Sequence, residues 1–176
     1  MTTPALLLAI ILACTSGEFS FAAQITSEQP QATSFRASPK LFVTLGAFNI
    51  AATQLAELAQ QRAVNAGVKA FAQQELDAHP ENEVYLERLA TERNAPLPTT
   101  IYAGDRALFD SLERLQGRRF DLAYMDDVIA EHERAIAVVE AALQSTQDAS
   151  EVKYLTDTLA QWREHLARAQ AAQKQL

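Results

Sequence analysis

The chain has little cysteine, little glycine and no cluster of basic residues, and each shortage excludes a class of protein. Its single cysteine cannot form an intrachain disulfide, and no Cys-based metal motif is present. Five glycines among 176 residues provide no glycine-rich phosphate loop. The net charge is −7, and the fifteen Lys and Arg residues are interspersed with acids. We therefore expect no nucleic-acid partner.

The residues that are abundant favour helices. Apolar residues make up 48% of the chain, and Ala, Leu, Gln, Glu and Arg are common, whereas strand patterns are nearly absent. A chain of this length buries one substantial core. The composition predicts one all-α domain.

A short apolar run lies near the N-terminus, from Ala5 to Ala13. It is about half as long as a membrane-spanning helix, but it has the length of a secretory signal core. In one interpretation residues 1–22 are a signal peptide, and the mature protein begins near Ala23 in the periplasm. The run thus predicts export, with no transmembrane span in the mature chain.

A second interpretation involves the only cysteine. Residues 11–14, Ile-Leu-Ala-Cys, resemble a lipobox, so removal of residues 1–13 would leave Cys14 as a lipidated N-terminus. The protein would then be anchored by lipid in the outer membrane. Both interpretations stay open at the level of the sequence.

The mature chain divides into a tether and a bundle. Residues 23–39, rich in Ser, Thr, Gln and Pro, predict a flexible tether, and residues 40–175 predict the folded domain. Apolar residues at three-and-four spacing predict four long helices, of which residues 120–143 form the cleanest. Asn65 and Gly67 are interpreted as the end of the first helix.

The connection between the second and third long helices is long. It runs from Asn94 to Gly117, and the pattern predicts a short helix over residues 106–115, closed by Gly117. Short connections within each helix pair and a long crossover between the pairs predict a ferritin-like four-helix bundle. Pro80, inside the second long helix, predicts a kink next to His79.

The chain has three histidines, and each lies on a different long helix near its middle. His132 occupies a position on the apolar stripe of its helix where another apolar residue is due. Measured from the helix ends at 1.5 Å per residue, His79, His132 and His165 approach one layer of the bundle. With Asp77 nearby, they predict a transition-metal site for Fe, Mn, Zn or Cu.

The alternative is that these histidines are hydrogen-bonded core residues. The chain has no Glu-x-x-His motif of the usual di-iron bundle, and the first helix places Ala52 at the matching level, with Asn49 one turn away. No catalytic residue is predicted, and a non-enzymatic domain is favoured over an enzyme.

A series of short motifs runs in order from about Lys40 to Ala172. They are Phe48-Asn49, Val68-Lys69-Ala70-Phe71-Ala72, Asp77-Ala78-His79, Leu97-Pro98, Gly117 with Phe120-Asp121 and Tyr124, His132 and His165-Leu166. In these motifs the chain resembles an exported bacterial family of unknown function, often labelled predicted outer membrane protein and grouped with ferritin-like bundles. The resemblance implies a four-helix fold and export, but no established activity.

The chain departs from this family where carboxylates are common. Ala52 replaces a frequent Glu, Ala78 replaces a frequent Asp, and Leu159-Ala160 replaces Leu-Pro. The sequence therefore favours a stress-related envelope protein with a weak or vestigial metal site. The alternatives are a metal-dependent oxidoreductase or metal-scavenging protein that uses the three histidines, and a helical module that binds itself or an envelope protein.

Overall fold

Five α-helices form the described part of the chain, which is residues 36–176 of a computed structural model, without the side chains of residues 79–82. The predicted signal peptide, Cys14 and most of the tether lie outside the described residues. The helices are α1 (Pro39–Arg62), α2 (Ala66–Glu92), α3 (Ala103–Glu113), α4 (Arg118–Ser145) and α5 (Ala149–Gln173).

Polar caps begin three of the long helices. Ser38 caps α1 by accepting a hydrogen bond from Lys40 N, and Pro39 occupies the first turn, as expected from the sequence. Asn65 accepts hydrogen bonds from the N–H groups of Gly67 and Val68. It therefore begins α2, and interpreting Asn65 and Gly67 as the end of the first helix was wrong.

The long helices form the predicted ferritin-like arrangement. α1 packs against α2 and α4, and α5 packs against the same two helices. Asp121, near the start of α4, accepts hydrogen bonds from Val64 N and Asn65 N in the α1–α2 turn. Because α4 begins where α1 ends, α2 and α4 run opposite to α1 and α5. The crossover consequently spans the length of the bundle.

The crossover contains α3, which contacts α1 and α4. This helix begins three residues earlier and ends two residues earlier than predicted. Gly117 does not close it, as the sequence suggested, but lies directly before α4 with φ +57° and ψ −145°. That backbone conformation is nearly restricted to glycine. The prediction failed because glycine serves both as a helix stop and as a turn residue.

Glycine also permits close packing where the crossover passes α1. A Cβ atom at Gly46 would lie 3.1 Å from Leu97 Cδ2 and 3.2 Å from Pro98 Cδ. The absence of a side chain lets the Leu97-Pro98 segment lie directly on the helix.

Two apolar clusters fill the bundle, one toward each end. The first includes Phe42, Leu45, Leu86, Ala135 and Trp162. The second includes Leu55, Ala72, Val128, Met125 and Ala169. Each long helix therefore passes from one cluster to the other near its middle.

By length and composition, α1 is the one helix of the described region that could cross a membrane, and half of its most apolar window is buried inside the bundle. A core helix with a wide apolar stripe has the same composition. Its buried face includes Phe42, Leu45 and Leu55.

A buried polar cluster closes the end of the bundle where α2 ends and α5 begins. Glu151 is fully buried and accepts hydrogen bonds from Ala37 N and from Arg93 Nε, both at 2.7 Å. Arg93 also binds Asp148, the N-cap of α5, at 3.0 Å. Ala37, just before α1, is thus fixed to the bundle. The extent of the flexible tether predicted for residues 23–39 stays a prediction.

α2 is helical without interruption from Ala66 to Glu92, so Pro80 does not break it. The kink and its effect on His79 remain predictions, because the side chains of residues 79–82 are not described.

Candidate metal centre

His132 on α4 and His165 on α5 meet in the middle of the bundle. Their ring centroids are 5.7 Å apart, and the residues expose 7% and 4% of their surface. On each helix the histidine lies between one residue of each apolar cluster, Val128 and Ala135 on α4, and Trp162 and Ala169 on α5. The sequence correctly placed these two histidines at one level.

Glu75 on α2 joins the two imidazoles. Its Oε1 lies 2.8 Å from His165 Nδ1, and its Oε2 lies 3.4 Å from His132 Nε2. Glu75 exposes 2% of its surface, so its carboxylate is almost completely removed from solvent. The three residues form a Glu75/His132/His165 cluster whose ligand atoms all lie within 4.8 Å of one another.

Sequence reasoning missed Glu75. A signal was available, since Glu75 follows Ala72 by three residues and so continues the buried stripe of α2. An acidic residue at such a position is exceptional, because carboxylates are rarely buried without partners. The apolar pattern of α2 instead favours the next residue, Leu76, which is only half-buried.

The two other predicted ligands have different positions. Asp77 is exposed, and its Oδ1 accepts a hydrogen bond from Gln73 Nε2 at 2.9 Å, so the structure does not bring it to the cluster. His79 lies on the same helix, but its side chain is among those not described. Its role as a ligand stays a prediction.

Hydrogen bonds and charge set the protonation of the cluster. Burial alone would lower the pKa of His132, but the Glu75 carboxylate, the Val128 carbonyl and the Glu131 charge together raise that pKa above its usual value. His132 Nδ1 lies 2.9 Å from the Val128 carbonyl, which fixes the ring and leaves Nε2 toward Glu75. Burial, then the charge of Glu75, raises the pKa of the Tyr124 phenol well above its usual value, so Tyr124 is neutral.

A small cavity of about 40 Å³ adjoins the cluster. Glu75, Tyr124 and His132 lie on one side of it, and α1 supplies the opposite wall. The α1 residues on that wall include Asn49 and Ala52, the two positions that the sequence placed at this level. All four long helices therefore contribute to the layer that contains the histidines.

The donor set suits a transition metal ion. Two imidazole nitrogens and one carboxylate are the protein ligands of many zinc and iron sites that keep a further position open. Bonds of about 2.1 Å in tetrahedral geometry place ligand atoms about 3.4 Å apart. The separation of Glu75 Oε2 from His132 Nε2 already has this value, whereas the separation of Glu75 Oε1 from His165 Nδ1 is shorter, at 2.8 Å.

Fold and polar layer together define the class as a ferritin-like helical bundle with a buried Glu–His cluster at mid-height. Within that class, the chain belongs to the family described as a domain of unknown function, DUF4142, whose model matches residues 23–172. No curated protein sequence matches the chain.

Solved structures share the fold. The crystal structure of a DUF305 fragment from Deinococcus radiodurans has a TM-score of 0.69 and 14% sequence identity, covering 80% of this chain and 99% of that chain. CopM in its Cu(II)-bound form has a TM-score of 0.66 and 15% identity, covering 78% of this chain and 95% of the CopM chain. Ag-bound CopM has a TM-score of 0.63 and 16% identity, covering 76% and 92%. At these identities the similarity concerns the fold alone.

Proposed function

We propose that this protein binds a single divalent transition metal ion at Glu75, His132 and His165, and that Cu(II) binds most tightly. The observation that carries the proposal is the convergence of one carboxylate and two imidazoles, all more than nine-tenths buried, in the middle of the bundle. Cu(II) leads because affinities of nitrogen and oxygen sites follow the Irving–Williams order. The Cu(II)-bound and Ag-bound forms of CopM support metal binding by a bundle of this shape.

The competing interpretation is a polar layer that serves only the fold. Glu75 already pairs with both imidazoles, so a metal ion must replace those contacts and displace any proton that they share. This competition predicts an affinity lower than that of a site with free ligands, in keeping with a scavenging or sensing protein rather than a permanent metalloprotein.

The test is the metal content of protein purified without a His-tag, followed by titration with Cu(II), Zn(II), Fe(II) and Mn(II). We expect one Cu(II) per chain. At a free Cu(II) concentration 100 times the dissociation constant, the free energy of unfolding should rise by about 2.7 kcal/mol. Glu75→Gln and His132→Ala should abolish both effects. If the wild type binds none of the four ions and gains no stability, the proposal is wrong.

Asp77→Asn is the matched control, since Asp77 lies on the same helix but is exposed and bonded to Gln73. It should bind metal as the wild type does. A His79→Ala variant decides whether the third histidine contributes, because a loss of affinity would add it to the site.

We also propose that the protein is exported, either as a periplasmic protein or with a lipid anchor at Cys14. The family match begins at residue 23, which leaves outside it the residues predicted to be a signal peptide. Mass spectrometry of the mature N-terminus tests both forms. An unmodified start near Ala23 excludes lipidation, and a retained Met1 excludes export by either route.

A further inference from the structure

α1 lines the cavity beside the Glu75/His132/His165 cluster with two small residues, Ala51 and Ala52, and with the larger Phe48, Asn49 and Leu55. Glu75 and His132 also line it. A cavity of about 40 Å³ has room for a water molecule, since about 10–15 Å³ on this measure suffices. The space is therefore large enough for a water molecule or a small anion.

A second observation indicates what the cavity holds. Asn49 also lines it and exposes only 2% of its surface. Its Nδ2 donates to Glu83 Oε2 at 2.7 Å, which orients the amide. The buried Oδ1 accepts no hydrogen bond from the described part of the chain. A buried oxygen that accepts no hydrogen bond destabilises the folded state, so a donor is expected to reach it.

We propose that this cavity is the binding place of a small exogenous ligand of the metal site, a water molecule that donates a hydrogen bond to Asn49 Oδ1 and exchanges with small anions. The inference rests on the proposed function, because the ligand is shared with a metal ion held by the cluster. Three protein ligands leave a further position on such an ion. Glu75 and His132, two of the three candidate ligands, line this cavity, and so does Asn49.

The proposal makes the site reactive rather than closed. A structural metal site has all positions filled by protein, whereas a site with an exchangeable ligand can bind a substrate or pass its metal on. The side chain of Ala52 is what keeps that position open. A longer residue there would fill the cavity or supply the missing ligand.

The experiment measures the enhancement of water-proton relaxation by the Cu(II)-loaded protein. We expect the wild type to enhance relaxation, azide to abolish the enhancement and to produce a charge-transfer band, and Ala52→Leu to bind Cu(II) without either effect. Ala137→Leu, an equal change at an exposed position of α4, should behave as the wild type does.

A second variant tests the role of Asn49. Asn49→Leu removes the acceptor at similar volume, so water is held less well, and azide should bind about three- to tenfold more tightly. Azide binding by Asn49→Leu also tests the inference if Ala52→Leu fails to fold. Cu(II) bound by the wild type with neither relaxation enhancement nor an azide band overturns the inference and leaves the proposed function standing. Absence of Cu(II) binding overturns the proposed function itself.

Discussion

Glu75 Oε1 lies 2.8 Å from His165 Nδ1, in a core where neither residue exposes more than 4% of its surface. The other oxygen of the same carboxylate faces His132 at 3.4 Å. One buried acid thus serves two imidazoles, and in the absence of metal a proton can provide the positive charge that balances it. Proton and metal ion compete for this place.

The first prediction concerns pH. Because the pKa of His132 is raised, its pairing with Glu75 stabilises the fold fully below about pH 6.5, and this contribution is lost as pH rises through the raised value. Metal binding requires the neutral ring, so Cu(II) affinity should fall about tenfold per pH unit below that value if one proton is displaced. Urea unfolding of the metal-free protein and chelator competition from about pH 5.5 to 8.5 measure the two trends. Affinity that is constant over this range would contradict the pairing.

The second prediction concerns Asp127, which faces the charges of Glu131 and Asp105. Burial, followed by these charges, raises its pKa to about 6, although Arg134 opposes the shift. The native state therefore holds a proton that the unfolded chain releases near pH 4, and stability declines as pH rises from about 4 to about 6. Asp127→Asn should stabilise the protein by about 1 kcal/mol at pH 7.5, a value reduced for partial exposure.

Below about pH 4 the gain from Asp127→Asn should vanish, because Asp127 is then protonated in both states. Asp126→Asn is the neighbouring control, since Asp126 is exposed and bonded to Gln173. Its effect should stay within about 0.5 kcal/mol at every pH. Equal gains from the two variants would mean that burial at Asp127 has no energetic consequence.

The third prediction concerns the polar cluster at the end of the bundle. Glu151→Gln should lower the free energy of unfolding by about 3 kcal/mol, because it leaves the buried Arg93 without its closest carboxylate. Asp157→Asn breaks an ion pair in which the Asp157 and Lys153 side chains are 63% and 65% exposed, so it should lower the free energy of unfolding far less. Urea denaturation compares them. A Glu151 variant as stable as the Asp157 variant would exclude a structural role for this cluster.

The fourth prediction contrasts two glycines. Gly117→Ala should destabilise the protein by about 1–3 kcal/mol, since φ is +57° there. Gly104→Ala should be neutral or stabilising by up to about 1 kcal/mol, because Gly104 lies within α3 and an added Cβ would meet no atom within 4 Å. Thermal unfolding measures both. The opposite order would show that the turn before α4 tolerates a side chain.

Much of the fold was predictable because helical periodicity is local. The apolar stripes of α1, α2, α4 and α5 give the four long helices, and the length of the crossover separates a ferritin-like bundle from a simple up-and-down one. Helix ends were less accurate. Asn65 and Gly117 each suit the end of one helix and the start of the next, and only the hydrogen bonds or backbone angles distinguish these uses.

The candidate site was predictable in part. His132 and His165 stood out since each is polar and lies on or beside an apolar stripe, and equal depth in the bundle follows from counting residues from the turn that joins their helices. Asp77 was chosen because it is close to His79 in sequence. Along a helix, however, two residues apart means nearly opposite faces, and Asp77 points to solvent.

The sequence by itself determined the helical class, the bundle topology and the level at which two histidines meet, because these depend on periodicity and on connection lengths. Only the tertiary structure decided that Glu75 is their partner and that a cavity lined by Glu75, His132 and α1 adjoins them. Burial of a charged group at the edge of a stripe depends on how three neighbouring helices are rotated and offset. The rotation and offset of the helices are set by packing across the bundle, which cannot be predicted from a local sequence pattern.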